Sequence, residues 1–366
     1  MVKYNKIDIG LLAITVILMI LGVLILTSIT ASLSFERFEN SYYYLKHQFL
    51  FGILPGIFLG FLAFLIPLGF FKKNIIFFLL LNLFFLGMVF LPKVGVSLGG
   101  ASRWIKIGSI FIQPSEFLKI CFFVYLASWL SIRALNPKNW SQTLIAFLII
   151  LGVLCLFLAF QPDVGTLGII VSVSLLMYFL SDTPVWHSAL IILIGIIALI
   201  ILIRIAPYRV DRILVFLDPD TDPMGKGYQM KQALVTVGSG GVAGLGLGMS
   251  RQKYGFLPQT MSDSIFAIFA EEAGFIGSFI LIFIFLFFSW RGFRIAKESD
   301  DKFQKILALG ITSWISIQAL INIASMIGLL PLTGVPLPFI SYGGSHLLTE
   351  FIGIGMLLNI SRNKKV

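Results

Sequence analysis

The sequence predicts an all-α polytopic membrane protein, with about ten transmembrane helices and a long ordered extracytoplasmic loop between helices 7 and 8. Three observations support this fold class. Of the 366 residues, 58% are hydrophobic and only 12% are charged, the mean hydropathy is +0.98, and long apolar runs recur along the whole chain. A soluble core could not hold this much Phe, Leu and Ile, whereas a bilayer solvates apolar side chains on the outside of a protein as well.

Ten runs have the length of a membrane-spanning helix, which needs about 20 mostly apolar residues. The predicted spans are 8–30, 48–68, 74–91, 115–135, 142–160, 164–181, 186–206, 264–290, 305–330 and 346–361. The first run is long enough to span and lacks a small-residue cleavage site, so we expect it to remain as a helix. We find no internal repeat, and therefore treat 1–366 as a single integral membrane domain.

An even number of spans puts both termini on the same side of the membrane. Lys and Arg cluster in segments such as Lys72–Lys73 and Arg362–Lys365, which this topology assigns to the cytoplasm, and are sparser in the short outer loops. We therefore predict a multi-pass protein of the cytoplasmic (inner) membrane with both termini cytoplasmic. The net charge of +10 is explained by these loops and does not indicate a nucleic-acid partner.

Two outer segments carry enough apolar residues to be ordered. The long loop, 207–263, combines aspartates and a glycine-dense stretch at 238–248 with apolar pieces. Loops of this length are usually either functional or disordered, and the apolar content favours a functional loop that folds onto the membrane domain. In the second segment, 99–115, Trp104 and Arg103 suit an interfacial re-entrant or amphipathic piece.

Ionisable residues within spans are costly and are therefore functional candidates. Glu116 and Lys119 share one face of the fourth span, either as a structural ion pair or as a site where Lys119 holds an anionic substrate group that Glu116 orients. Asp163 is expected to cap the following helix. Of the adjacent Glu271 and Glu272, at least one should pair inside the bundle. The last span also contains a carboxylate, Glu350, for which the sequence indicates no partner.

Asp263 stands where the long loop re-enters the membrane. It could cap the next helix, or act as a general base on a lipid-linked substrate whose polar head lies at the outer interface. The loop also contains Arg209, Arg212 and Lys231. Such cations can bind a pyrophosphate, although basic residues are also ordinary in a solvated loop.

Several motifs occur in order along nearly the whole chain. They are Gly99-Gly-Ala-Ser-Arg-Trp104, Ile112-Gln-Pro-Ser-Glu-Phe-Leu-Lys119, Gln161-Pro-Asp-Val-Gly-Thr166, Arg212-Ile-Leu-Val-Phe-Leu-Asp-Pro219, Asp222-Pro-Met-Gly-Lys-Gly-Tyr-Gln229, Gly244-Leu-Gly-Leu-Gly248, Asp263-Ser-Ile-Phe-Ala-Ile268, Glu271-Glu-Ala-Gly-Phe275 and Pro336-Leu-Pro-Phe-Ile-Ser-Tyr-Gly-Gly344. Together they resemble the SEDS family (shape, elongation, division and sporulation), which comprises the FtsW, RodA and SpoVE proteins. The segments Leu217-Asp-Pro219 and Ser250–Pro258 look closer to the division branch, FtsW.

This resemblance implies a peptidoglycan glycosyltransferase that polymerises lipid II on the outer face of the cytoplasmic membrane, with a class B penicillin-binding protein as partner. It implies that Asp263 is the essential carboxylate and that Glu116 and Lys119 are the paired charges of the fourth helix. Positive charge for the departing pyrophosphate would come from Arg103, Lys119, Arg209 or Arg212. A divalent cation (Mg or Mn) could share this work, although no cluster of metal ligands stands out.

The sequence departs from the family pattern around Asp263. Many members read Pro-Glu-x-His-Thr-Asp-Phe-Ile, whereas here Gln259, Met261, Ser262 and Ser264 replace the Glu, His, Thr and Phe. Three other interpretations therefore stay open: a lipid II flippase, a non-catalytic scaffold for a class B penicillin-binding protein, and an ion-coupled solute transporter. The flippase and the transporter would favour internal repeats, which are not found.

Overall fold

The computed structural model describes residues 7–91, 94–98, 101–108, 110–133, 140–181, 183–205 and 207–362. Most of these residues form a bundle of α-helices. The helices are α1 (Ile9–Phe38), α2 (Tyr43–Gln48), α3 (Leu54–Leu65), α4 (Leu68–Met88), α5 (Pro114–Arg133), α6 (Trp140–Phe160), α7 (Val164–Phe179), α8 (Val185–Ile205), α9 (Pro207–Leu217), α10 (Lys226–Ser239), α11 (Ile265–Lys297), α12 (Lys302–Met326) and α13 (Gly344–Arg362). A π-helical turn, Phe49–Ile53, joins α2 to α3, and a 3₁₀ turn, Pro219–Thr221, follows α9.

The ten predicted spans are matched by ten helical segments. Seven are long and apolar enough to cross a bilayer, including the continuous Tyr43–Leu65 segment that contains the π-helical turn. Two shorter apolar helices, Val164–Phe179 and Val185–Ala198, and the 19-residue α13 account for the other three. The prediction of the fold class is confirmed. Several boundaries differ, because α1 extends to Phe38 and α11 to Lys297.

Helices α5 and α12 form the interior of the bundle. Within the most apolar 18-residue stretch of each of these helices, 72% of the residues are buried. The corresponding share in α4 and α11 is 22%, and the outward surfaces of these two helices are apolar. This distribution is the one expected of a protein surrounded by lipid. Small residues allow close packing elsewhere: Gly56 and Gly60 of α3 lie against Phe351 of α13, and Gly355 of α13 lies against the Gly60 carbonyl.

The segment 99–115 is ordered in the residues that the structure describes, as predicted, but its secondary structure, a small sheet, was not predicted. Residues Gly95–Leu98 (β1), Ala101–Ile107 (β2) and Ile110–Ile112 (β3) form a small antiparallel sheet of order β1-β2-β3. Its local cause is the alternation along β2, where Ile105 is buried and its neighbour Lys106 is exposed. The turn to β3 uses Gly108, whose φ of +63° favours glycine. The sheet leads directly into α5 at Pro114.

The long segment 207–263 folds onto the bundle, as predicted, and contains α9 and α10. Its attachment depends on a kink in α11 at Gly274, which has φ +67° and ψ −166°. At this kink the carbonyls of Glu271 and Glu272 accept hydrogen bonds from the amides of Leu245 and Gly246, both at 3.0 Å. A Cβ atom at Gly274 would clash with the Gly244 amide nitrogen, and one at Gly244 would clash with the Glu272 carbonyl, so neither position has room for a side chain.

Candidate active site around Asp263

Asp263 lies directly before α11 but does not cap it. Ser264 occupies the N-cap position without a side-chain capping bond, so the capping interpretation of Asp263 is wrong. The Asp263 carboxylate instead accepts a hydrogen bond from Ser262 Oγ at 2.9 Å. Its side chain is partly exposed, and it can therefore meet both protein and a bound molecule.

The backbone around Asp263 is held from two sides. The side-chain amide of Asn322, in α12, donates to the carbonyl of Asp263 and to the carbonyl of Val335, both at 2.8 Å. Ser341 Oγ donates to the Ser262 carbonyl at 2.5 Å, and the Tyr342 amide donates to the Met261 carbonyl at 2.8 Å. The position of the carboxylate is therefore set by residues far away in sequence.

Two polar side chains of the long segment, Gln229 and Arg212, influence the ionisation of this carboxylate. Burial raises the pKa of Asp263 above its ordinary value, and this effect outweighs hydrogen bonds from Ser262 and Gln229 and the positive charge of Arg212, all of which lower the pKa. The Gln229 amide also donates to Ser264 Oγ at 3.2 Å. A carboxyl group with a raised pKa is a better proton acceptor than an ordinary aspartate. The arrangement therefore offers a base with a guanidinium nearby.

The predicted pair Glu116–Lys119 forms inside the bundle. Lys119 Nζ lies 2.8 Å from Glu116 Oε2, and the two side chains are 1% and 5% exposed. Lys119 also donates to Gln318 Oε1 at 2.9 Å and lies 5.0 Å from the centre of the Trp314 ring. This geometry is that of a structural ion pair, with Gln318 linking it to α12.

Arg103 and Asp163 meet at the start of α7. Arg103 donates to the carbonyls of Gln161, at 3.2 Å, and Pro162, and lies 4.0 Å from Asp163. Asp163 caps α7 as predicted, because it accepts a hydrogen bond from the Thr166 amide at 3.3 Å. The contacts of Arg103 thus fix the small sheet to the turn before α7.

The remaining predicted cations of the long segment lie in different places. Arg212 donates to the Leu332 carbonyl at 3.5 Å and contributes to the electrostatics of Asp263. Lys231 forms an exposed ion pair with Asp220. Arg209 lies on α9, but its side chain is outside the described residues. Of these three cations, the structure brings Arg212 to Asp263.

Both Glu271 and Glu272 bind the long segment. Glu272 forms a buried ion pair with Lys253 at 3.3 Å and accepts a hydrogen bond from Ser28 of α1 at 2.8 Å. Glu271 accepts hydrogen bonds from Ser250 Oγ and from the amide of Arg251. The prediction that at least one of these carboxylates pairs inside the bundle is confirmed.

A cavity of about 400 Å³ lies beside the loop that leads to Asp263. Its walls include Arg37 from α1, Gln259, Met261 and Ser262 from the loop, and Tyr342. Three of these residues, Gln259, Met261 and Ser262, occupy positions that depart from the family pattern. Within the described ranges, no group of three or more His, Cys, Asp or Glu side chains is placed to hold a metal ion.

Sequence reasoning missed the buried amides of α12, one of which, Asn322, binds the backbone of Asp263. Gln318 and Asn322 are buried in α12 and stand four residues apart, so they share one helix face. Two carboxamide side chains on one face in the second half of a predicted span were the available signal. Gln229 and Ser341 gave no such signal, because polar residues are ordinary in the loop segments around them.

The sequence profile of the FtsW/RodA/SpoVE family, described as "Cell cycle protein", matches residues 9–366. The chain belongs to this family. It is 37% identical over 360 residues to stage V sporulation protein E of Bacillus subtilis (strain 168), covering 98% of each chain. It is also 39% identical over 359 residues to the probable peptidoglycan glycosyltransferase FtsW of Wigglesworthia glossinidia brevipalpis, covering 97% of this chain and 92% of the relative.

Solved structures share the fold over nearly the whole chain. One, from work described as "Structural coordination of polymerization and crosslinking by a peptidoglycan synthase complex", has a TM-score of 0.77 and 25% identity and covers 98% of both chains. The rod shape determining protein RodA of Thermus thermophilus has a TM-score of 0.71 and 23% identity, again with 98% coverage of both chains. The second likeness concerns the fold alone.

Proposed function

We propose that this chain is a peptidoglycan glycosyltransferase that polymerises lipid II into glycan strands at the outer face of the cytoplasmic membrane. The observation that carries the proposal is Asp263, a partly buried carboxylate whose pKa is raised by burial and which lies within the electrostatic influence of Arg212. The chain belongs to a family in which a relative of nearly full-length similarity is named a probable peptidoglycan glycosyltransferase.

The reaction requires a base and a stabilised leaving group. Asp263 accepts the proton of an acceptor sugar hydroxyl while the hydroxyl oxygen bonds to the anomeric carbon of the donor. The bond from that carbon to the polyprenyl pyrophosphate breaks at the same time, and the pyrophosphate leaves with the electron pair. Arg212 supplies positive charge to this anion. A single displacement of this kind inverts the configuration at the anomeric carbon.

The other predicted substrate residues have different support. Arg103, Glu116, Lys119 and Lys231 have protein partners of their own, and their binding of substrate remains a prediction. A divalent cation would need oxygen ligands, and the described residues do not group three acidic side chains at Asp263.

The proposed topology places Asp263 on the outer side of the cytoplasmic membrane. With both termini cytoplasmic, the segment 207–263 and Asp263 lie at the outer interface of the membrane. The cavity beside the Asp263 loop would admit the polar head of lipid II from that side. A class B penicillin-binding protein would supply the crosslinking step. The structural relative with a TM-score of 0.77 comes from work on a peptidoglycan synthase complex.

The three alternatives, a flippase, an ion-coupled transporter and a non-catalytic scaffold, receive less support. A flippase needs alternating access and commonly contains internal repeats, which this sequence lacks. A non-catalytic scaffold would have no need for a carboxylate whose pKa is raised by burial at the start of α11. The relatives named as glycosyltransferases also favour the enzyme.

Lipid II polymerisation by the purified protein tests the proposal, with and without a co-expressed class B penicillin-binding protein. Strands from the wild type that disappear in Asp263→Ala and Asp263→Asn, but persist in the matched control Asp220→Asn at an exposed position, would support it. Strands that persist in the Asp263 variants would assign the base to another residue. Wild-type protein that transports lipid II across vesicles without making strands would favour the flippase.

A further inference from the structure

The segment Val335–Tyr342, called the 335–342 segment here, contains a strained residue. Phe339 has φ +62°, in the left-handed region that a bulky residue seldom adopts. Its side chain is 2% exposed and packs edge-to-face on Phe351 of α13, with ring centres 6.0 Å apart. Strain of this kind persists only where the surroundings enforce it.

Glu350 of α13 helps to hold Phe339 in this strained conformation. Its Oε2 accepts a hydrogen bond from the strained Phe339 amide at 2.8 Å, and its Oε1 accepts one from Gln318 Nε2 at 3.3 Å. Glu350 is completely buried. The chemistry proposed above does not use this carboxylate, although burying one is costly.

Gln318 binds the same segment, and its other partners fix the orientation of its side-chain amide. Its Oε1 accepts hydrogen bonds from Lys119 Nζ at 2.9 Å and from Trp314 Nε1 at 2.8 Å. Both groups can only donate, so the amide oxygen must face them. The Nε2 group must then face the other way, where it donates to the Pro336 carbonyl at 3.1 Å and to Glu350.

The opposite side of the 335–342 segment holds the loop of Asp263. Ser341 binds the Ser262 carbonyl, the Tyr342 amide binds the Met261 carbonyl, and Asn322 bridges Val335 and Asp263. The segment thus contacts Glu350 and Gln318 on one side and the residues next to the carboxylate on the other.

Packing against α1 limits movement of the segment. A Cβ atom at Gly22 would lie 2.9 Å from Ile340 Cα and would also clash with the Phe339 carbonyl. Gln48 of α2 binds the segment's end, since its side chain donates to the Ser341 carbonyl and accepts from the Gly343 amide. A displacement caused by loss of Glu350 must therefore be taken up on the remaining side, toward the Asp263 loop.

We propose that Glu350 and Gln318 are positioning residues for Asp263, and that they act through the 335–342 segment. Neither contacts the reacting atoms. Their hydrogen bonds fix the strained backbone at Phe339, and this backbone fixes the loop 258–264 that carries the carboxylate. The inference rests on the proposed function for its catalytic consequence, but the mechanical coupling can be measured without it.

The first test compares Glu350→Leu and Glu350→Gln with a matched control, Thr349→Val. Thr349 is the buried neighbour of Glu350, and among the residues that the structure describes its hydroxyl bonds only to carbonyls of its own helix. Hydrogen–deuterium exchange of residues 258–264 should be faster by about tenfold in Glu350→Leu and intermediate in Glu350→Gln, which keeps a single acceptor oxygen. The control should match the wild type. Where Glu350→Leu does not fold, Gln318→Met and Glu350→Gln carry the same comparison.

The second test is kinetic. Because misplacement of a catalytic group acts on turnover, Glu350→Leu should lower kcat for strand synthesis by about 10- to 100-fold while KM stays within about twofold. Glu350→Gln and Ser341→Ala should act less than additively in the double variant, since both loosen one segment.

Exchange of 258–264 that matches the control, or fully additive kinetic effects, would overturn the inference. A fall in thermal stability with unchanged exchange of that loop would also overturn it, because it would reduce Glu350 to a structural role. Wild-type protein that makes no strands would contradict the proposed function instead. The exchange measurement would still decide the coupling, because it needs no substrate.

Discussion

The ammonium of Lys119 lies 2.8 Å from the carboxylate of Glu116, one turn earlier on α5, in the interior of the bundle. Each charge is nearly inaccessible to solvent, so each depends on the other. Gln318 and Trp314 complete the surroundings of the ammonium. The i,i+3 spacing seen in the sequence is thus the geometry of a buried pair.

Removing one member of this pair should cost more than removing both. Lys119→Met leaves Glu116 buried without its counter-charge, which is expected to destabilise the protein by about 3–5 kcal/mol, whereas Glu116→Gln/Lys119→Met leaves no charge to desolvate. Thermal unfolding in detergent measures the difference. The exposed pair Arg294–Glu298 is the control, since Arg294→Gln should change little. A double variant as unstable as Lys119→Met would contradict this account.

Polymerisation should lose activity on the acid side at a higher pH than an ordinary aspartate would allow. A general base must be ionised, and burial raises the pKa of Asp263. Arg212→Gln removes a positive charge that lowers this pKa, so the acid limb of the rate profile should move to higher pH, while Arg212→Lys should keep it near the wild-type position. Initial rates across a pH series measure this.

The exposed Lys231 provides the control for that profile. Lys231→Gln removes a charge that is paired with Asp220, and it should leave the acid limb in place. An acid limb that stays at the same pH in Arg212→Gln would show that Arg212 does not influence the ionisation of Asp263.

Asp263 should also reduce thermal stability at neutral pH. Its pKa is higher in the folded protein than the ordinary value of 3.8, so between these two values the folded state binds more protons than the unfolded state. The cost of the buried charge is fully present above the folded pKa, declines as the pH falls through it, and is gone below about 3.8. Asp263→Asn cannot ionise and should therefore melt at a higher temperature than the wild type at pH 7.

The melting temperatures of Asp263→Asn and the wild type should approach each other as the pH falls toward about 4. Asp220→Asn, at an exposed position, should show no such pH-dependent difference. A constant offset between Asp263→Asn and the wild type at every pH would assign the effect to something other than ionisation.

The fold was predictable because the length of an apolar run is a local property of the chain. Ten runs gave ten helical segments. The small sheet was not predicted, because three short strands carry only a few residues of alternation, and the Trp and Arg of β2 are equally typical of a membrane interface. The kink at Gly274 was also missed, since a glycine inside a span is ordinary.

The charged members of the site were predictable for a different reason. Asp263, Glu116 and Lys119 stand out because charges in or beside apolar runs are costly. The partners of Glu350 were not predictable, because Gln318 reaches it through the packing of α12 against α13, and the Phe339 amide reaches it through the path of the 335–342 segment. Neutral amides such as Asn322 carry no charge and drew no attention, although two hydrogen bonds of Asn322 define the site.

Two lysines of the long segment should differ sharply in their effect on stability. Lys253 is 3% exposed and donates to Glu272 at 3.3 Å and to the Gly248 carbonyl at 2.6 Å, so it joins the glycine-dense stretch to α11. Lys253→Met leaves Glu272 buried and unpaired, with an expected cost of about 3–5 kcal/mol. Lys231→Met breaks only the exposed pair with Asp220 and should cost about 0.5 kcal/mol or less. Thermal unfolding, together with limited proteolysis between residues 240 and 253, measures both, and equal shifts for the two variants would refute the assignment of Lys253 as the attachment point of the segment.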